Sequence, residues 1–263
     1  MIKVNGTIVE QGHFPDKTLL LKMNKGNFEN HNNDIVDYII EWNYENDAEL
    51  FTIICVKKHL EPNKCWLRMS YCPHARMDRI KNNEDVFTLK YFADIINSLN
   101  FYGVSILDPH SNVAPALLDR CSVIQPYYYI NTAMKRSKAK VVCFPDEGAM
   151  KRYSDMVKNP YAFCIKKRDW TTGKIQGLDL QNTEHIIGKD VLIIDDICSK
   201  GGTFYYTAKA LKEAGAENIY LYITHCENTI LEGELLTSGL IEKVYTTNSI
   251  FTKEHEKIEV IKL

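Results

Sequence analysis

Short apolar runs alternate with amphipathic stretches along this 263-residue chain. LFTIICV (50–56), CWLRMSY (65–71), VSILD (104–108), KVVCF (140–144), AFCIK (162–166), VLIID (191–195) and IYLYIT (219–224) have the length and β-branched or aromatic content of strands. Between several of them lie helical patterns. VFTLKYFADIINSL (86–99) places Phe87, Tyr91, Ile95 and Leu99 at four-residue spacing, which predicts a helix buried along that stripe. FYYTAKALKEAG (204–215) places Phe204, Ala208 and Leu211 similarly, with Gly215 as a natural stop. Strands alternating with helices predict an α/β fold with mostly parallel sheets.

Two comparable halves are suggested, each with a strand ending in Asp: VSILD before Pro109-His110, and VLIID before Asp196. No strict repeat relates them. A boundary near QPYYYINT (125–132) divides the chain into 1–125 and 126–263. The polar segment 166–185 mixes cations and glycines without a helical stripe and reads as a long loop, a lid or a disordered stretch. After IEVIKL no room is left for a terminal helix.

Composition narrows the classes. A 45% hydrophobic content supplies a core, and 32 basic against 34 acidic residues argues against a nucleic-acid binder that relies on bulk basicity. The eight cysteines form no C-x-x-C pair, so a structural zinc site is disfavoured. The opening MIKVNGTIVEQGHFP lacks a secretory pattern, and no apolar run is long enough to span a bilayer. Reduced thiols in a cytoplasmic setting, away from membranes, are the expectation.

The chemistry concentrates in VLIIDDICSKGGT (191–203). In parallel α/β sheets ligands gather at the carboxyl ends of strands, and this strand delivers Asp195 and Asp196 there. The turn Ile197–Gly202 follows, with Thr203 opening a helix. Gly201 and Gly202 let backbone amides approach a ligand closely, and a helix N-terminus favours an anion such as phosphate. Carboxylates accept hydrogen bonds from sugar hydroxyls or hold a metal. Two acids and a Gly-Gly pair alone describe any solvated strand end. Strand, acids, Gly-Gly-Thr and helix in that order describe a site for a ribose phosphate. No G-x-x-x-x-G-K-[ST] occurs, which disfavours a P-loop kinase.

This stretch resembles the PRPP signature of type I phosphoribosyltransferases and of ribose-phosphate diphosphokinases. Four further segments resemble the diphosphokinases: YCPHARMDR (71–79), VSILDPH (104–110), VVCFPDEGAMKR (141–152) and IKKRD (165–169). That resemblance implies two tandem phosphoribosyltransferase-like domains, an ATP side in 1–125 and a ribose-phosphate side in 126–263. It implies Mg²⁺-dependent transfer of the β,γ-diphosphate of ATP to ribose 5-phosphate. Arg76, Asp78 and Arg79 are then ATP-binding; two arginines and an acid alone would read as a surface ion pair. His110 and Asp146 become metal ligands, with Asp146 the better match to a hard cation and Asp108 in support. Lys167 and Arg168 become catalytic cations on a closing lid, together with His110. HFPDK matches the family's adenine-binding segment at Phe14 and Asp16, while Lys17 and Thr18 depart from it; Phe14 has a core residue as its other reading.

Within the signature, Ser199 stands where the family has an acid and Lys200 where it has a threonine. Both changes make the pocket more positive, in favour of an acceptor richer in phosphate. Shortened phage-encoded relatives that act on ADP-ribose resemble this picture, so ADP-ribose is the alternative acceptor. Lesser alternatives are a PRPP-consuming phosphoribosyltransferase, a catalytically silent regulatory subunit and a PRPP-sensing DNA-binding regulator. The family resemblance also implies a homo-oligomer, at least a dimer.

Overall fold

The computed structural model describes residues 1–23, 37–61, 63–168 and 175–263; for 166–168 and 175–177 it describes the backbone only. The chain forms two compact units, Met1–Gln125 and Pro126–Leu263.

The first unit holds a six-stranded sheet ordered β2-β1-β5-β6-β7-β8. Its strands are β1 (Ile2–Val4), β2 (Thr7–Ile8), β5 (Tyr38–Trp42), β6 (Cys65–Met69), β7 (Gly103–Leu107) and β8 (Cys121–Ile124). The four from β5 to β8 are parallel, and β1 joins antiparallel to both β2 and β5. A separate antiparallel hairpin pairs β3 (Glu10–His13) with β4 (Leu19–Lys22). Helices α1 (Ala48–Leu60), α2 (Thr88–Ser98) and α3 (Val113–Leu117) complete the unit. Tyr38, Ile40, Trp42, Leu67 and Met69 alternate into one core against the buried faces of α1 and α2.

Two expectations are corrected here. LFTIICV is not a strand but the middle of α1. Thr52, Ile53, Val56 and Leu60 form its buried stripe, while Glu49 in the first turn and Lys57, Lys58 and His59 in the last complement the helix dipole. An apolar run of seven residues carries no period of its own; the helical period shows only in burial, at Thr52, Ile53, Val56 and Leu60. On α2 only the ends of the predicted stripe, Phe87 and Leu99, pack on the core. Leu89, Phe92, Ala93 and Ile96 face the core, whereas Tyr91 and Ile95 are 57% and 39% exposed. Four-residue spacing drifts about 40° per step around a helix, and the 3-4 alternation holds one face.

In the second unit a seven-stranded sheet runs β11-β10-β9-β12-β13-β14-β15. These are β9 (Val141–Phe144), β10 (Tyr161–Arg168), β11 (Ile175–Gln181), β12 (Val191–Cys198), β13 (Ile219–Cys226), β14 (Lys243–Thr247) and β15 (Ile258–Ile261). All neighbours are parallel except β10 and β11. Helices are α4 (Tyr127–Ser137), α5 (Glu147–Tyr153) and α6 (Gly202–Glu213). Along β12, Val191 and Ile193 join one core layer with Phe204, Ala208 and Leu211 of α6; Leu192 and Ile194 join the other with residues of α4 and α5. Burial on both faces is why this strand reads as a continuous aliphatic run. α6 ends as predicted: Gly215 adopts φ +89°, its amide donates to Lys212 and that of Ala216 to Leu211.

The expected loop 166–185 is corrected in part. Residues 166–168 and 175–181 belong to the β10–β11 hairpin, and Leu178 and Leu180 pack at period two on the core. Residues 169–174, the middle of the proposed lid, lie outside the described residues.

Candidate active site

The second unit builds its site from strand ends of unequal length. β12 pairs with β9 only through Ile193–Cys143 but with β13 as far as Cys198–Cys226. Asp195 and Asp196 therefore run past the end of β9, inside β12 rather than after it, and the turn is shorter than expected. Where β9 stops, Pro145 leads into Asp146, which N-caps α5 by accepting from the Ala149 amide at 3.0 Å. Three carboxylates thus collect at the carboxyl edge of neighbouring parallel strands.

Their electrostatics differ. The buried Asp196 carboxylate lies 3.1 Å from the Arg152 guanidinium, which α5 supplies. Asp195 accepts from the Asp196 amide at 2.9 Å. Burial, the adjoining Asp196 carboxylate and the charge of Asp146 push the Asp195 carboxyl well above the ordinary range. Like charges converging without full compensation are suited to a hard cation or to sugar hydroxyls.

Ser199, Lys200 and Gly201 link β12 to α6. Gly201 takes φ +82° as the residue preceding the helix, a conformation glycine adopts without steric cost. Around Gly202 there is open space: an added Cβ would meet nothing within 4 Å. The first turn of α6, including Thr203, thus begins one short turn after the acids of β12. Lys200 extends to Glu232 at 3.1 Å, both side chains well exposed. Sequence reading assigned no role to Arg152 or Glu232. Arg152 lay inside the quoted VVCFPDEGAMKR, but spacing does not say which acid it faces.

In the first unit, Arg76, Asp78 and Arg79 follow β6, and His110 follows β7. Asp78 is buried, and Arg79 forks onto it, Nε at 2.8 Å and Nη2 at 3.4 Å. Burial alone would raise this carboxyl. The hydrogen bonds from Arg79 and Ser111, with the positive charge of Arg79 and His110, prevail and hold it below its ordinary value. Arg76 and Arg79 stay exposed. Asp108, buried at φ +41°, donates its amide to Ile124 at 3.0 Å and so closes the end of β7 onto β8.

Phe14 and Asp16 lie at the turn of the β3–β4 hairpin. Phe14 is 50% exposed, which removes its reading as a core residue. Asp16 accepts from both the hydroxyl and the amide of Thr18, at 2.7 and 3.0 Å, and those bonds lower its pKa. Lys167 and Arg168 fall on β10, paired in register with Gly177 and Ile175; their side chains are outside the described residues.

Among the described residues no group of three or more His, Cys, Asp and Glu side chains is arranged to hold a metal ion. Asp146 and its carboxylate neighbours nonetheless offer the oxygen donors Mg²⁺ prefers, and Mg²⁺ usually takes only one or two protein carboxylates besides substrate phosphates. The eight cysteines form no disulfide. No described helix is long and apolar enough to cross a membrane.

Comparison with known proteins places these features among relatives. A phosphoribosyl transferase domain family matches residues 127–233. The chain is 30% identical over 227 residues to ribose-phosphate pyrophosphokinase 2, chloroplastic, of Oryza sativa subsp. japonica, covering 81% of this chain and 54% of that protein. The chain thus spans about half the length of this relative. It is 28% identical over 231 residues to the ribose-phosphate pyrophosphokinase of Bacillus caldolyticus, covering 82% and 70% respectively. In fold it is similar to the phosphoribosylpyrophosphate synthetase of Mycobacterium smegmatis, with a TM-score of 0.74, 16% identity and coverage of 97% of this chain and 86% of that one.

Proposed function

We propose that the chain is a ribose-phosphate pyrophosphokinase-type enzyme, on its similarity to those relatives, and that it transfers the β,γ-diphosphate of ATP to the anomeric hydroxyl of ribose 5-phosphate, giving PRPP and AMP. The observation that carries this reading is the pairing, in one unit, of strand-end carboxylates with an open glycine loop at the start of α6. Asp195 and Asp196 accept from the ribose hydroxyls. The amides of Ser199 to Thr203 and the Lys200 ammonium hold the 5-phosphate. In the first unit Arg76 and Arg79 bind phosphate oxygens of ATP, with Asp78 fixing the direction of Arg79. Phe14 and Asp16 meet the adenine of a neighbouring subunit in an assembly at least dimeric. Lys167 and Arg168 approach the migrating diphosphate, and closure of their segment excludes water as a competing acceptor. In the second unit Asp146 would hold Mg²⁺, which when bound neutralises charge on the phosphate oxygens; in the first unit His110 would meet the ATP phosphates and their metal.

A second acceptor, ADP-ribose, is favoured by the exposed Lys200 side chain and the open space at Gly202. Both would leave room and charge for a second phosphate. The family base rate keeps ribose 5-phosphate ahead.

The test is AMP release from ATP and Mg²⁺ with each acceptor and with none. AMP formed only in the presence of ribose 5-phosphate supports the reading, and turnover with ADP-ribose alone replaces the acceptor. No AMP with either, but pyrophosphate from PRPP plus a nucleobase, assigns a phosphoribosyltransferase instead. Lys167→Ala should lower turnover by roughly 100-fold, the loss typical of a transition-state charge contact; unchanged turnover would remove Lys167 from the reaction. Sedimentation showing only monomer at active concentrations would exclude the shared adenine site.

A further inference from the structure

We infer that residues 227–235 form a strap that sets the position of the acceptor-phosphate loop, with Gly233 as its positioning residue. The inference rests on the reading of residues 199–203 as that loop.

Three contacts tie the strap to consecutive parts of the loop. The Glu227 amide donates to the Cys198 carbonyl at 2.8 Å, where β12 ends. The exposed Glu232–Lys200 pair restrains the lysine head group and not the loop backbone. Gly233 lies against the Lys200 backbone so closely that a Cβ there would sit 1.8 Å from the Lys200 carbonyl oxygen and 2.8 Å from its carbon. Leu235, fully buried, meets Gly201: a Cβ on Gly201 would come within 2.9 Å of Leu235 Cδ2. The strap is anchored at both ends, by β13 before it and by Leu235 and Leu236 in the core after it.

Gly233 is not a glycine for reasons of backbone conformation. Its φ of −94° and ψ of 170° suit any residue. What excludes a side chain is the approach of Lys200. The obstacle is backbone, and backbone at the strand-to-helix junction cannot rotate away as a side chain can. To reach even the 3.0 Å that real Cβ contacts respect, the carbonyl must retreat by more than 1 Å. The Lys200 peptide is part of the cradle for the phosphate, so that retreat moves the amides of the loop. Misplacement by about 1 Å can cost on the order of 100-fold where binding depends on geometry.

The contact is therefore a specific prediction about the acceptor and not about ATP. Isothermal titration with ribose 5-phosphate, and separate KM values for ribose 5-phosphate and ATP, should be compared between wild type and Gly233→Ala. The expected result is a Kd and KM for ribose 5-phosphate raised at least about tenfold, with the KM for ATP and the far-UV circular dichroism unchanged. A general packing defect would instead move both KM values together. Wild-type protein that binds no ribose 5-phosphate overturns the assignment of the loop and the strap's role with it. Wild type that binds, with a folded Gly233→Ala variant that binds equally well, overturns the strap alone. Should Gly233→Ala fail to fold, Leu235→Val decides, because it shortens the strap's contact on Gly201. A selective rise in the acceptor's KM of roughly threefold supports the inference, and an unchanged KM refutes it.

Discussion

Arg152 Nη1 lies 3.1 Å from Asp196 Oδ2, so the guanidinium of α5 meets the second of two adjacent carboxylates in β12. Alternate residues of the strand face opposite layers, so only Asp196 points to the side where α5 packs. Asp195 is left with burial and two acidic neighbours, and its carboxyl is driven upward. Removing Arg152 would leave Asp196 buried beside a second acid. Arg152→Ala should lose about 2–3 kcal/mol, below the roughly 3–5 kcal/mol of breaking a fully buried pair because Arg152 is partly exposed. Urea unfolding measures it; a loss below 0.5 kcal/mol, roughly that of an exposed pair, would contradict the assignment.

Asp195 makes the pH dependence run the opposite way. Its folded-state pKa is raised, so any stability tied to its neutral form is complete below its unfolded value of about 3.8 and is lost as pH rises through the folded value. Asp195→Asn should melt above wild type at pH 7.5, and the difference should shrink toward pH 4. Millimolar Mg²⁺ should raise the wild-type Tm more than that of the variant. Equal melting at pH 7.5 would show that the three acids do not repel.

Asp78 has a depressed pKa, and its contribution is present above its ordinary value of 3.8. It is lost as pH falls through the lower folded value, since the unfolded chain takes up its proton first. Asp78→Asn should be less stable at pH 7 and should converge with wild type in strong acid. Its KM for ATP should rise roughly tenfold, about the worth of one charge-assisted hydrogen bond that orients Arg79. An unaltered KM would leave Asp78 with a purely local role.

If Lys200 holds the acceptor's phosphate as proposed, its pair with Glu232 competes with that binding. Glu232→Gln should lower the acceptor's KM by about two- to threefold at low salt, as befits an exposed pair worth under 1 kcal/mol, and the gain should fade at 0.5 M salt. Lys200→Ala should raise the same KM and flatten its salt dependence. If Glu232→Gln weakens the acceptor instead, the pair serves the strap rather than restraining the lysine.

Much of this protein is local information. β12, the Gly-Gly-Thr turn and α6 follow from an aliphatic run, two glycines and a stripe at Phe204, Ala208 and Leu211, because each is set by near neighbours in the chain. Where local signals were degenerate, the reading erred. LFTIICV has the composition of a strand and folds as helix, since a short apolar run has no period and packing against the sheet chooses. α2 carries two apolar stripes, and only contact with the core reveals which is buried. IQGLDLQ looked like loop because its glycine and its aspartate hide an alternation that becomes visible once Leu178 and Leu180 face the core.

What the sequence alone determined is the set of chemical groups: paired acids before a glycine-containing turn, an Arg-Asp-Arg cluster after a strand, and the α/β order that carries them. What only the tertiary structure decided is how those groups act on one another. The pairing of Arg152 with Asp196, the reach of the Asp146 charge to Asp195 and the contact of Gly233 with Lys200 join residues some 30 to 50 positions apart. Such pairings depend on where strands stop in the sheet and which layer a side chain enters, and neither is encoded in any one stretch of chain.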